Sequence, residues 1–198
     1  MKPYSESCEQ NRAPILEVLK QELSGKRRLL EIGSGTGQHA VYLAGEFPEL
    51  LWQPSEVPAM LPGIRAWLAE DTAPSNILPP LSLDVCHDSW PDKQYDAVFS
   101  ANTVHIIAWP QVQCLFSGVS EVLETGGIFC LYGPFNYNGQ YTSHSNERFD
   151  GWLKQRDPLS GIRDFEALNA LAEQAGLELG KDYEMPANNQ ILTWLKTC

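Results

Sequence analysis

The chain has no uninterrupted apolar run approaching the ~18–20 residues that a membrane span requires, so no membrane partner is expected. Its first residues, Met1-Lys2-Pro3-Tyr4-Ser5-Glu6, hold no apolar stretch of the kind a secretory signal needs. Cysteine is sparse. Cys8, Cys86, Cys114, Cys130 and Cys198 are scattered and nowhere spaced as CxxC, which predicts reduced thiols in a cytoplasmic protein rather than a disulfide frame or a zinc site. His87 and Asp88 lie near Asp84, yet no ligand set converges with them and no metal is expected. Positive charge is scarce too: 14 Lys and Arg face 25 Asp and Glu, a net charge of −11. A nucleic-acid binder needs a basic footprint to neutralise phosphates, so nucleic acid is not an expected partner. The one basic cluster, Lys26-Arg27-Arg28, precedes an apolar strand and fits a solvated turn. Repeats and low-complexity tracts are absent, and nothing in the sequence specifies an oligomeric state.

What is present is an ordinary globular chain, 43% hydrophobic and 198 residues long, enough for a single well-buried domain. Apolar spacing predicts helices over 14–23, 38–46, 59–70, 111–123 and 165–175. Apolar runs bounded by glycine, proline or acids predict strands at 28–32, 50–54, 81–85, 95–100 and 128–133, with 183–185 and 190–195 as a closing antiparallel pair. This alternation implies an α/β fold with a mostly parallel sheet covered by helices on both faces. Regularity fails between Pro134 and Asp164, a stretch rich in Asn, Tyr and Ser, which is expected to form a polar lid or cap.

Strand 28–32 runs into Gly33-Ser34-Gly35-Thr36-Gly37 and then a helix. Glycines let a backbone approach a ligand closely, and a helix N-terminus offers free N–H groups. Nicotinamide dinucleotides use GxGxxG, but here the third glycine of that pattern would fall on Gln38. Glu31, two residues before the loop, would repel a pyrophosphate and suit the cationic methionine end of S-adenosylmethionine. Glu56, 19 residues beyond Gly37, can accept both ribose hydroxyls. Asp84 can meet the adenine amino group, with Val85 packed on the ring. The expected cofactor is therefore S-adenosylmethionine, with an NAD-dependent oxidoreductase disfavoured.

The chain resembles the class I S-adenosylmethionine-dependent methyltransferases and, more narrowly, the methyltransferase-like protein 26 family. The resemblance spans nearly the whole length and rests on Asn11-Arg12-Ala13-Pro14, Leu30-Glu31-Ile32-Gly33-Ser34-Gly35-Thr36-Gly37-Gln38-His39, and Trp52-Gln53-Pro54-Ser55. It continues through Ala101-Asn102 with His105, Tyr132-Gly133-Pro134-Phe135, Ser145-Asn146, Gly161-Ile162-Arg163-Asp164 and Met185-Pro186-Ala187-Asn188-Asn189. Glu56 departs from it, since an aspartate is expected after Pro-Ser. The resemblance implies a Rossmann-like seven-stranded sheet with a reversed last strand, and methyl transfer to an unspecified acceptor. In such enzymes the segment after the fourth strand lies near the methyl group, here Asn102 to His105. Asn102 then holds cofactor or substrate, His105 is a candidate general base, and His39 sits beside the cofactor. Arg12, Tyr132, Asn136, Asn146, Arg163 and Asn188 are the implied acceptor-binding residues. A small-molecule acceptor is expected, because the Asn/Asp-Pro-Pro-Tyr/Phe signature of amino-methylating enzymes on DNA and protein is absent. A cofactor-binding sensor or partner protein without turnover is the competing reading.

Overall fold

Short runs of consecutive apolar residues are what a strand buried on both faces requires, and they build the middle of the sheet. In the computed structural model, which describes residues 2–197, Arg28–Ile32 (β1) lies at its centre. Leu51–Glu56 (β2) and then Leu81–Ser82 (β3) flank it on one side, Tyr95–Ala101 (β4) and Leu123–Gly133 (β5) on the other, all parallel. Phe135–Asn136 (β6) and Arg163–Asp164 (β7) form a separate parallel pair. The chain then adds Leu177–Met185 (β8) and Asn189–Lys196 (β9), with β9 antiparallel to both β5 and β8. The seven-stranded order is β3-β2-β1-β4-β5-β9-β8.

Strand alternation divides the core in two. Leu29 and Phe99 face Glu6–Glu22 (α1) and Gln38–Glu46 (α2), packing on Ile15, Leu19 and Leu43. Leu30, Val98 and Leu131 face the opposite way, onto Leu115 and Val119 of Trp109–Val122 (α4) and Leu168 of Phe165–Gln174 (α6). Leu61–Leu68 (α3) follows β2 and packs beside α2. Fully burying side chains of this size stabilises by roughly 1.5–3 kcal/mol each. One two-faced core of this kind makes a single domain.

Four expectations need correction. The first helix begins at Glu6 and runs through Pro14, because burial of Ile15, Leu16, Val18 and Leu19 offsets the ~3 kcal/mol that an interior proline costs. β3 stops at Ser82, and Asp84 and Val85 belong to the turn beyond it. The irregular stretch 134–164 contains a thirteen-residue helix, His144–Arg156 (α5), capped by Ser143, whose hydroxyl accepts from the Asn146 N–H at 3.1 Å. Few of its residues are apolar, so its period is faint in the sequence. Finally, Cys86 and Cys114 form a disulfide, and only Cys8 and Cys130 are free among the described residues. Cys86 sits in the turn after β3 and Cys114 on α4; their 28-residue separation hides a pairing that the fold creates. Cys198 lies outside the described residues. No described helix is long and apolar enough to cross a membrane.

Candidate functional site

The carboxyl ends of parallel strands open a crevice at the point where the strand order reverses, here between β1 and β4. A cavity of about 1080 Å³ occupies that place. Its floor is the glycine loop. Gly33 has φ +71°, and a Cβ there would lie 2.5 Å from the Thr103 hydroxyl oxygen, so the loop touches the segment after β4. Gly35 has φ +55° and nothing within 4 Å of where a Cβ would stand. That side of the loop is open to the cavity. Gly37, at φ +90°, instead packs the start of α2 against the Ile64 backbone of α3 and leaves the cavity wall.

Glu56 ends β2 at the cavity's edge. One carboxylate oxygen accepts from the Gly35 N–H and the other from the Val57 N–H, each at 2.8 Å. The loop and the acid are thus fixed to each other. Ser34 also lines the cavity and binds across to Ser55 of β2, its N–H donating to the Ser55 carbonyl at 3.0 Å. Asn102 follows β4 in the left-handed region, φ +57°, with its N–H on the Tyr132 carbonyl at 2.9 Å. Such a conformation in a non-glycine residue is costly, and the surrounding bonds impose it.

Glu31 is placed otherwise. Alternation along β1 puts it on the α1–α2 face, where it is 2% exposed and accepts from the Trp52 indole N–H at 2.8 Å. Burial pushes its carboxyl up to about 7, against the lowering effect of bonds from Trp52 and Ser34. It does not line the cavity. Asp84 accepts from the Cys86 N–H at 3.1 Å and meets His87 at 3.0 Å, and Val85 packs onto the core under α4. Neither belongs to the cavity wall.

The other half of the cavity is built by α1, the segment after β4, β5, α5 and the β8–β9 turn. His39 is buried with its Nε2 2.7 Å from the Asn11 side-chain oxygen, and Asn11 also bonds Tyr132. Burial, then the Arg12 charge, lowers the His39 pKa to about 4. His105 is 3% exposed, and its Nδ1 has no hydrogen-bond partner. Burial, followed by the Arg163 charge, takes its pKa down to about 4 as well, so it stands neutral. Its ring meets Phe149 edge-on at 5.5 Å.

Of the acceptor candidates, Tyr132, Asn146 and Asn188 reach the wall. Asn146 donates to the Thr142 hydroxyl at 2.9 Å and the Asn188 carbonyl at 3.0 Å, tying α5 to the β8–β9 turn. Arg12 stays outside, paired with Glu9 and stacked on Tyr42 at 4.4 Å. Asn136 lies on β6, its buried oxygen unpartnered and away from the cavity. Arg163 donates to the Val104, Ile107 and Leu159 carbonyls at 3.0, 2.6 and 2.8 Å, holding the backbone on either side of His105. Thr103, Asn11 and Phe149, which the sequence set only inside longer motifs, also line the cavity, as do Cys8, Trp152 and Arg156, which it gave no site role. A helical reading of 144–156 would have grouped Phe149, Trp152 and Arg156 on one face, at i, i+3 and i+7.

The strand order with its reversed β9, and the cavity at the switch between β1 and β4, define the class I methyltransferase fold. The likeness is measurable. An O-methyltransferase family 2 protein from Planctomyces limnophilus, solved with apigenin, aligns with a TM-score of 0.83 at 18% identity, over 96% of this chain and 58% of that one. Human N-acetylserotonin methyltransferase, solved with SAM, gives 0.81 at 15%, over 98% and 53%. The S-adenosylmethionine-dependent methyltransferase SibL, in its apo form, gives 0.81 at 20%, over 97% and 56%. This chain thus spans little more than half the length of these structures. A family model described as "Protein of unknown function (DUF938)" matches residues 2–196, and the chain belongs to that family.

Proposed function

We propose that this chain is an S-adenosylmethionine-dependent methyltransferase acting on a hydroxyl of a small-molecule acceptor. One observation carries the proposal: the glycine loop with Glu56 and the buried ring of His105 share one cavity. The residues present fit the cofactor. Gly35 leaves its side of the loop open, Glu56 presents a fixed carboxylate to a ribose diol, and Asn102 stands at the end of β4. The methyltransferase names of the structural neighbours and the sequence resemblance to the methyltransferase-like protein 26 family support the same reading.

When bound, S-adenosylmethionine supplies an electrophilic methyl group. The chain's own part is positioning and proton removal. Holding acceptor oxygen and methyl carbon in line within ~3–3.5 Å can contribute roughly 7–11 kcal/mol. Asn146, Asn188 and Tyr132 are the groups that would orient the acceptor. Neutral His105 would take the acceptor's hydroxyl proton on a ring nitrogen, leaving that oxygen free to receive the methyl group. Arg163, through its bonds to the Val104 and Ile107 carbonyls, holds His105 in place. α5 closes the acceptor side.

Calorimetric titration with S-adenosylmethionine, S-adenosylhomocysteine and NAD tests the cofactor; heat with NAD alone overturns it. His105→Ala should leave S-adenosylmethionine affinity nearly unchanged and lower S-adenosylhomocysteine release by roughly 10²–10⁴-fold on a phenolic acceptor panel. Turnover as fast as wild type removes His105 from the chemistry.

A further inference from the structure

The face of α5 turned to the cavity carries three groups in a row, which leads to His105 after β4. Arg156 lies over the Trp152 ring at 4.7 Å, Trp152 stacks on Phe149 at 5.8 Å with ring planes 18° apart, and Phe149 meets the His105 ring at 5.5 Å. Arg156, Trp152, Phe149 and His105 all line the cavity. The row begins at the surface, where Trp152 is 47% exposed, and ends on the buried His105. Ile106, also exposed, adds an apolar group to the same wall. Trp152, Ile106 and Phe149 together make the cavity mouth an apolar patch of the kind that marks a ligand-binding groove.

Arg156 has no ion pair with any described carboxylate and is held by the Trp152 ring alone. Its neighbour Asp157 also lines the cavity, but that carboxylate accepts from the Leu159 N–H at 2.9 Å and serves the turn that ends α5. In a chain of net charge −11, a lone guanidinium at the mouth is a local exception. Its planar fork matches a carboxylate. The surrounding negative charge favours a monoanion over a dianion.

We propose that the methyl acceptor is a flat aromatic hydroxy-acid, its ring lying along Phe149 and Trp152, its hydroxyl at His105 and its carboxylate on Arg156. The inference rests on the methyltransferase reading and adds the substrate class. Residues 149 and 156 stand about 10 Å apart along the helix axis at 1.5 Å per residue. A hydroxycinnamate, with its carboxylate two carbons beyond the ring, reaches further toward Arg156 than a hydroxybenzoate does. Arg156 is then a specificity-determining residue that touches the acceptor and not the reacting atoms.

The test titrates para-hydroxycinnamate, its methyl ester and para-hydroxybenzoate into the protein, alone and with S-adenosylhomocysteine. The free cinnamate should bind roughly tenfold or more tightly than its ester, and the benzoate more weakly than the cinnamate. Arg156→Gln should erase the acid's advantage and leave ester affinity unchanged, while Arg156→Lys should keep part of it. The proposal is overturned if ester and acid bind equally, if Arg156→Gln keeps the preference, or if neither cinnamate binds. Failure of the cofactor reading shows separately, as no heat with S-adenosylhomocysteine, because acid and ester are also compared on the protein alone.

Discussion

Two glycines two residues apart should fail in different ways when replaced by alanine. At Gly33 the added methyl lies 2.5 Å from the Thr103 hydroxyl oxygen and 3.0 Å from its methyl carbon, at φ +71°. Thr103 is not free to swing away. Its hydroxyl accepts from Ser100 at 3.0 Å and donates to the Ala101 carbonyl at 3.2 Å. Left-handed backbone costs an alanine about 1–2 kcal/mol, and overpacking adds about 1–3 kcal/mol, so Gly33→Ala should destabilise by roughly 2–5 kcal/mol. At Gly35 the backbone cost is similar, but the methyl meets nothing within 4 Å and points to open space. Gly35→Ala should therefore lose only about 1–2 kcal/mol of stability. Its larger effect should be on S-adenosylmethionine affinity, because the methyl enters the ligand's space.

Urea denaturation gives the two stabilities at fixed slope, and calorimetry gives the two affinities. Adding Thr103→Ala to Gly33→Ala removes the two closest atoms and should return about 1–3 kcal/mol, the overpacking share. Equal stability loss at the two positions, or no rescue by Thr103→Ala, would refute the claim that Gly33 is required by the Thr103 contact. Unchanged affinity in Gly35→Ala would refute the claim that the open side of the loop faces the cofactor.

Glu31→Gln should be nearly neutral at pH 5 and stabilise by up to ~3 kcal/mol at pH 8. The folded carboxyl, raised from 4.5 to about 7, keeps a proton that the unfolded chain has released. Its stabilising contribution is therefore present below pH 4.5 and lost as pH rises through 7, and glutamine has no such loss. Identical changes in urea midpoint at both pH values would count against the buried carboxyl. If His105 is the base, the acid limb of turnover should fall near pH 4, where that ring protonates, rather than near 6.5. A pH–rate profile of kcat/KM, which reports the free enzyme's groups, decides this. Replacing Cys114 by serine should cost about 3–4 kcal/mol, the loop-closure value for a 28-residue separation. The thermal midpoint of the wild type, but not of Cys114→Ser, should then fall on adding a dithiol reductant. A wild-type curve that ignores the reductant would speak against the bond.

The sheet and its loop were legible because local pattern suffices for them. Leu29 to Ile32 and Ala97 to Ser100 are too apolar to lie anywhere but the centre of a covered sheet, and three alternate glycines after a strand make a tight, open loop. Glu56, Asn102 and His105 follow their strands closely enough that the cavity had to meet them. Tertiary structure decided the rest, because the direction of a side chain depends on neighbours far away in sequence. Glu31 and Glu56 look alike as acids ending strands, yet Trp52 takes the first, and the Gly35 and Val57 N–H groups hold the second at the cavity. Arg163 looked like a ligand for an acceptor until its guanidinium met three carbonyls around His105. The Cys86–Cys114 bond exists because the turn after β3 crosses α4, and the aromatic row on α5 exists because a polar-looking stretch folds as a helix over the cavity. Sequence spacing carries the period of a single element; only packing between elements decides which of its faces meets a ligand.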